Sequence, residues 1–165
     1  MNTNNMEIER KFLVDVLPDN LTQYSVKAIK QGYISTNPTI RLRQQDNKYI
    51  LTVKGKGIIQ RQEFEMELEK EQFDNLWKKV EGGYISKKRY IIPFVSQQPL
   101  EEKNLTIELD IYEDMLQGFM NVEVEFSTIK DAILFEPPSW FGKEVTDDKR
   151  YTNASLVKNG IPEKN

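Results

Sequence analysis

Apolar and polar residues alternate along most of this chain with the two-residue period of a β-strand. From Glu7 to Val14 it reads EIERKFLV, which sets Glu7, Glu9 and Lys11 on one face and Ile8, Phe12 and Val14 on the other, with Arg10 among them. Seven further segments have strand character: 27–35, 39–45, 48–55, 61–69, 84–92, 104–113 and 120–127. Asn37-Pro38, Asp46-Asn47, Gly55-Lys56-Gly57 and Gln117-Gly118 punctuate them, and the short gaps favour antiparallel hairpins. The period changes over 70–81, where Phe73, Leu76, Trp77 and Val80 form the buried stripe of a helix that Gly82-Gly83 ends. A shorter helix is expected after Ser127, stopping before Pro137-Pro138, and another over 152–158. No internal repeat divides the chain. The expectation is one domain over 1–165, with 1–5 disordered.

The polar faces of these strands are charged, and the sign sorts by strand. Arg41 and Arg43 share a side opposite Ile40 and Leu42, and Thr52 and Lys54 oppose Leu51 and Val53. Glu63, Glu65 and Glu67 stand against Phe64, Met66 and Leu68, and Lys87 and Arg89 against Lys88, Tyr90 and Ile92. Thr106, Glu108 and Asp110 oppose Ile107, Leu109 and Ile111, and Glu123 and Glu125 oppose Val122, Val124 and Phe126.

One reading is an amphipathic sheet with a solvated outer face. Against it, Glu and Lys are disfavoured in strands, and a face built for solubility would intersperse the signs. The other reading closes the eight strands into a barrel with the charged faces inward and the apolar faces outward beneath the helices. Lys11, Arg41, Arg43, Lys54, Lys87 and Arg89 would then repel one another unless a polyanion lay among them. The carboxylates beside them call for an oxygen-loving divalent ion such as Mg²⁺ or Mn²⁺. A chain of phosphates carrying metal ions meets both demands.

Composition narrows the chemistry. With 165 residues, 30% charged and a net charge of −3, this is a soluble globular composition. No run is long enough to span a bilayer, and MNTNNM at 1–6 has no signal-peptide core, so a cytoplasmic location is the default. The absence of cysteine removes disulfides and thiolate chemistry, and the absence of histidine removes His-based triads and the usual zinc sites. The acidic balance argues against nucleic acid as a partner held by general charge attraction.

Glu7-x-Glu9-x-Lys11 resembles the ExExK signature of the CYTH superfamily, the triphosphate tunnel metalloenzymes. IRLR at 40–43, LTVKG at 51–55, EFEMEL at 63–68, KKRY at 87–90, ELDIY at 108–112 and VEVEF at 122–126 follow in that superfamily's order. PPSWFGKEVTDDKRYTNASL at 137–156 is similar to its bacterial inorganic triphosphatase branch. The resemblance implies an α+β fold: a closed eight-stranded antiparallel β-barrel with a charged lumen and helices outside. It implies that Lys11, Arg41, Arg43, Lys54, Lys87 and Arg89 bind triphosphate, and that Glu7, Glu9, Asp110, Glu123 and Glu125 hold the metal. Glu63 and Glu65 would join the metal shell or orient the arginines, and Glu108 would support Asp110. Glu67 extends the usual carboxylate pair and has no assigned role. Glu144 and Asp148 would be structural caps in a segment packed at one tunnel mouth.

Other signals have plainer readings. GKG at 55–57 lacks the spacing of a phosphate loop and reads as a hairpin turn. Phe73 and Trp77 are helix-core residues, Pro137-Pro138 and Trp140 shape a connection, and Ser155 has no histidine base. The function implied is metal-dependent hydrolysis of a phosphoanhydride of inorganic triphosphate, with a metal-bound hydroxide, a carboxylate or Lys11 taking the proton. Alternatives are adenylyl cyclase chemistry on ATP, hydrolysis of thiamine or nucleoside triphosphates, and a polyphosphate-binding module without turnover. A membrane partner is not expected, and a homodimer is left open.

Overall fold

In the computed structural model, which describes residues 5–57 and 59–163, eight strands close into an antiparallel barrel. They are β1 (Asn5–Leu13), β2 (Ser25–Thr36), β3 (Thr39–Gln45), β4 (Lys48–Lys54), β5 (Gln60–Leu68), β6 (Ile85–Val95), β7 (Asn104–Tyr112) and β8 (Met120–Glu125). Around the barrel they run β1-β5-β4-β3-β2-β6-β7-β8. Short turns make hairpins of β2 to β5 and of β6 to β8, as the spacing demanded. β1 closes the ring by pairing its first half with β5 and its second half with β8. That places the EIERK run at the seam between an acidic strand on each side. The stretch 1–5 expected to be disordered lies outside the described residues, except Asn5, which opens β1 opposite Glu63. Among the described residues no helix is long and apolar enough to cross a membrane.

The alternation sorts as the barrel requires, with Leu42, Leu109, Val122 and Val124 fully buried in the outer core. A capping box between Glu69 and Gln72 starts α1 (Lys70–Trp77), which lays Phe73 and Trp77 on Leu42, Leu68 and Tyr49. This helix ends at Trp77 rather than at residue 81. Gly32 lets the following turn approach the sheet, since a Cβ there would lie 2.6 Å from Val80 Cγ1. Thr128 caps α2 (Ile129–Leu134), whose Ala132 packs with Phe12, Val124 and Phe135 over β1, β7 and β8. Arg10 sits on this apolar side because its guanidinium bonds the carbonyls of Ala132 and Phe135, at 2.8 and 2.9 Å, and pairs with Glu144 at 2.7 Å.

Two features depart from helices covering the outside. α3 (Asn153–Asn159) lies over one end of the barrel, where Leu156, Val145 and Tyr151 pack on the inward side chains Ile85 and Tyr112. Among the described residues no helix covers part of the outer wall: Phe64 and Met66 on β5 are 52% and 42% exposed, because α1 reaches only the Leu68 end of that strand.

Candidate active site

The barrel encloses an open cavity of about 1800 Å³. Lys11, Arg41, Arg43, Lys54 and Arg89 line it together with Glu7, Glu9, Glu63, Glu65, Glu108, Glu123 and Glu125. Strand register sets the neighbours. Glu9 stands opposite Glu125 and Lys11 opposite Glu123 across the β1–β8 seam, and Glu7 stands opposite Arg61 across the β1–β5 seam.

Most of these acids are drawn to a base. Lys54 Nζ lies 3.0 Å from both oxygens of Glu7 and 3.7 Å from Glu63. Arg61 Nε donates to Glu7 at 2.9 Å and its Nη2 reaches Glu9 at 3.4 Å. Lys11 pairs with Glu123 at 3.3 Å and donates to the carbonyl of Tyr151 at 3.2 Å. Arg41 is held loosely. Its guanidinium is buried, its Nη2 is 3.3 Å from Thr52 Oγ1 and 4.0 Å from Glu65, and its Nε has no acceptor among the described residues.

The resulting charge states are uneven. Against the cost of burial, Lys54 and Arg61 hold the Glu7 carboxyl down at about 2. Burial, with Glu123 and Glu7 alongside, pushes Glu9 up to about 8 against the pull of Lys11 and Lys54. Burial likewise raises Glu63 to about 7. Burial, Arg41 and Arg89 bring Arg43 down to about 9, and burial and Arg41 lower Lys54 despite Glu7. Burial opposes the charge on Lys11, yet Glu123 and Glu9 keep its affinity for a proton above the usual lysine value.

The CYTH domain model matches residues 5–149, the whole barrel and the segment that follows it. The chain belongs to the CYTH family. It is 43% identical over 155 residues to an inorganic triphosphatase of Nitrosomonas europaea, covering 92% of this chain and 96% of that one. It is 33% identical over 159 residues to an inorganic triphosphatase of Acetivibrio thermocellus, covering 93% and 94%. The crystal structure of the inorganic triphosphatase NE1496 superposes with a TM-score of 0.64 at 39% identity, covering 95% of this chain and 97% of that one.

Within this CYTH barrel two expected site residues lie apart from the cavity. Asp110 and Lys87 are fully buried in the wall and do not line it. Lys87 Nζ is 2.7 Å from Asp110 Oδ2, and Arg89 grips both carboxylate oxygens at 2.7 and 2.8 Å. Asp110 thus anchors two cations, and Lys87 faces an aspartate rather than open space. Glu108 does not support Asp110 directly; it pairs with Arg89, whose guanidinium is therefore shared between two acids. Glu67 is exposed opposite Ile50. Asp148 caps the short helix 149–151 by accepting from the Arg150 backbone, and Glu144 ties the segment to Arg10.

Sequence reasoning passed over Arg61, Gln31 and Tyr33. Arg61 shares the parity of Glu63 and Glu65, a signal that was available. Gln31 accepts from Arg43 Nε at 3.0 Å, and Tyr33 stands opposite Arg41 with its hydroxyl's affinity for a proton raised by burial.

Proposed function

We propose that this chain hydrolyses a terminal phosphoanhydride bond of inorganic triphosphate with the help of Mg²⁺ or Mn²⁺. The observation that carries the reading is Arg41, a buried guanidinium on the cavity whose Nε donor is unanswered among the described residues. A buried donor without an acceptor is costly, and a phosphate oxygen repairs the deficit. Arg43, Lys54 and Lys11 add charge along the same cavity, and identity to two inorganic triphosphatases supports the substrate.

The donor chemistry of the cavity fits a hard divalent ion. Its acids supply oxygen alone, and Glu9 is raised to about 8 by burial beside Glu123 and Glu7, a deficit of positive charge that a metal would fill. Glu7, Glu9, Glu123 and Glu125 would hold the ion. When bound it would neutralise phosphate charge and make the terminal phosphorus more open to attack.

The chain's own residues do the rest. Arg41, Arg43 and Lys54 grip non-bridging oxygens and hold the triphosphate along the lumen. Lys11, kept charged by Glu123 and Glu9, binds phosphate and can donate a proton rather than accept one. Proton uptake from the attacking water falls to a tunnel carboxylate. The oxygen of water bonds to the terminal phosphorus, the bridging P–O bond breaks, and pyrophosphate leaves beside orthophosphate.

The test is a panel of tripolyphosphate, ATP and thiamine triphosphate with Mg²⁺ or Mn²⁺, read for orthophosphate, pyrophosphate and cyclic AMP. Tripolyphosphate should be turned over fastest, giving orthophosphate and pyrophosphate, and chelation should stop the reaction. Faster turnover of ATP to cyclic AMP would replace this reading with cyclase chemistry.

A further inference from the structure

The two acids of EIERK do not face an open space of their own. Arg61 lies between them. It stands opposite Glu7 in the β1–β5 register, donates from Nε to Glu7 Oε2 at 2.9 Å, and extends Nη2 to Glu9 Oε1 at 3.4 Å. Lys54 takes both oxygens of Glu7 from the other side at 3.0 Å. Among the described residues Arg61 is the one cation within 4.0 Å of Glu9, and no three acids there converge to hold an ion. Its side chain is 24% exposed, so the guanidinium has room to swing toward solvent without opening the barrel.

We infer that Arg61 is a resident occupant of the carboxyl oxygens of Glu7 and Glu9 that a divalent ion must displace, so that Arg61 sets how much metal the protein needs. The inference rests on the proposed metal role of those two acids.

Arg61 and the metal compete. A guanidinium fork and a divalent ion seek the same carboxylate oxygens, and both cannot bridge Glu7 and Glu9 at once. In metal-free protein the fork occupies an oxygen of each acid, and it stabilises that state. Whatever favours the metal-free state alone weakens metal binding by the same factor. A lysine at this position would keep the charge but reach only one carboxylate. The arginine is thus a threshold device: it stabilises the barrel when no metal is present and yields when metal and triphosphate arrive together.

The test reads Mn²⁺ binding directly, by the loss of the free-ion paramagnetic signal, without triphosphate and without turnover. Wild type, Arg61→Gln, Arg61→Lys and Glu9→Gln are titrated in parallel, and each is melted with chelator and with saturating Mn²⁺. Arg61→Gln should bind Mn²⁺ about tenfold more tightly or better, the scale of losing one charge-assisted competitor. It should melt lower than wild type in chelator and gain more from Mn²⁺. Arg61→Lys should tighten binding by less, and it carries the test if the glutamine variant does not fold. Unchanged or weaker Mn²⁺ binding in these variants, with wild-type binding intact and weakened by Glu9→Gln, would overturn the inference and leave the metal reading standing. Wild type that binds no Mn²⁺, or binding that ignores Glu9→Gln, would remove the metal reading and this inference with it.

Discussion

Asp110→Asn is expected to lower the stability of the metal-free protein by about 3–5 kcal/mol. Asp110 is fully buried, and both of its oxygens are occupied, by Lys87 and by two nitrogens of Arg89. The amide is nearly the same shape, so packing is preserved and the loss is electrostatic. Lys87 has no exposure and no second acid within 4.0 Å among the described residues, so it would be left as a buried charge facing an amide. Burial already brings Lys87 down to about 8, and without Asp110 it would fall further and give up its proton on folding. Urea unfolding in chelator measures the loss. An aspartate kept only to bind metal predicts the opposite: full stability in chelator, with a deficit appearing only when metal is added.

The second large effect is a dependence on pH that metal should reverse. Glu9 binds its proton up to about pH 8 in the fold, whereas an unfolded glutamate releases it near 4.5. Between those values the folded protein holds more protons than the unfolded chain, so stability must fall as pH rises. The contribution is fully present below pH 4.5, is lost progressively above it, and amounts to something on the order of 3–5 kcal/mol by pH 8. Glu63, raised to about 7, adds a smaller loss of the same sign. Glu7, held at about 2, acts in the other direction but only below 4.5, so it does not cancel the effect in this window. Metal-free protein should therefore melt at falling temperature from pH 5 to 8, and Glu9→Gln should flatten the slope. Mn²⁺ should restore the melting temperature most at the alkaline end, where the carboxylates are free to bind it. A melting temperature that rises through this window in chelator would contradict the charge states described for the lumen.

The barrel was legible because alternation is strong in most strands, and closing the sheet encloses charged faces that sort by sign. What alternation cannot report is depth. Glu108, Asp110, Glu123 and Glu125 share inward parity, yet Asp110 is locked in the wall and Glu125 is exposed at the rim. Depth comes from register and from which end of the barrel is stoppered, and both are set by contacts distant in sequence. The same limit applies to α3, whose apolar spacing reads alike for a helix on the outer wall and for one lying over an open end. Tyr33 and Gln31 were hidden because their strand mixes Ile29 into its inward face and carries Gly32 outward for α1, which blurs the two-residue period. Arg61 was hidden differently. Its parity was plain, but a base heading a row of acids reads as sign-balancing until the register sets it against Glu7.

The central claim is that the inward cations exist to hold a triphosphate, and Arg41 tests it most directly. Its Nε donor has no partner among the described residues and its nearest acid is 4.0 Å away, so the substrate-free fold depends on it little. Calorimetric titration of tripolyphosphate into wild type and Arg41→Ala, both depleted of metal to prevent turnover, gives the affinity of each. The variant should fold with an unchanged or slightly higher melting temperature, because one like charge leaves a crowded lumen. It should bind tripolyphosphate more weakly by about 1.5–3 kcal/mol, the scale of a hydrogen bond to a charged group. Equal affinity in the two proteins would contradict the account, since an Arg41 that does not touch the phosphates leaves the cavity without its main claim to be their binding site.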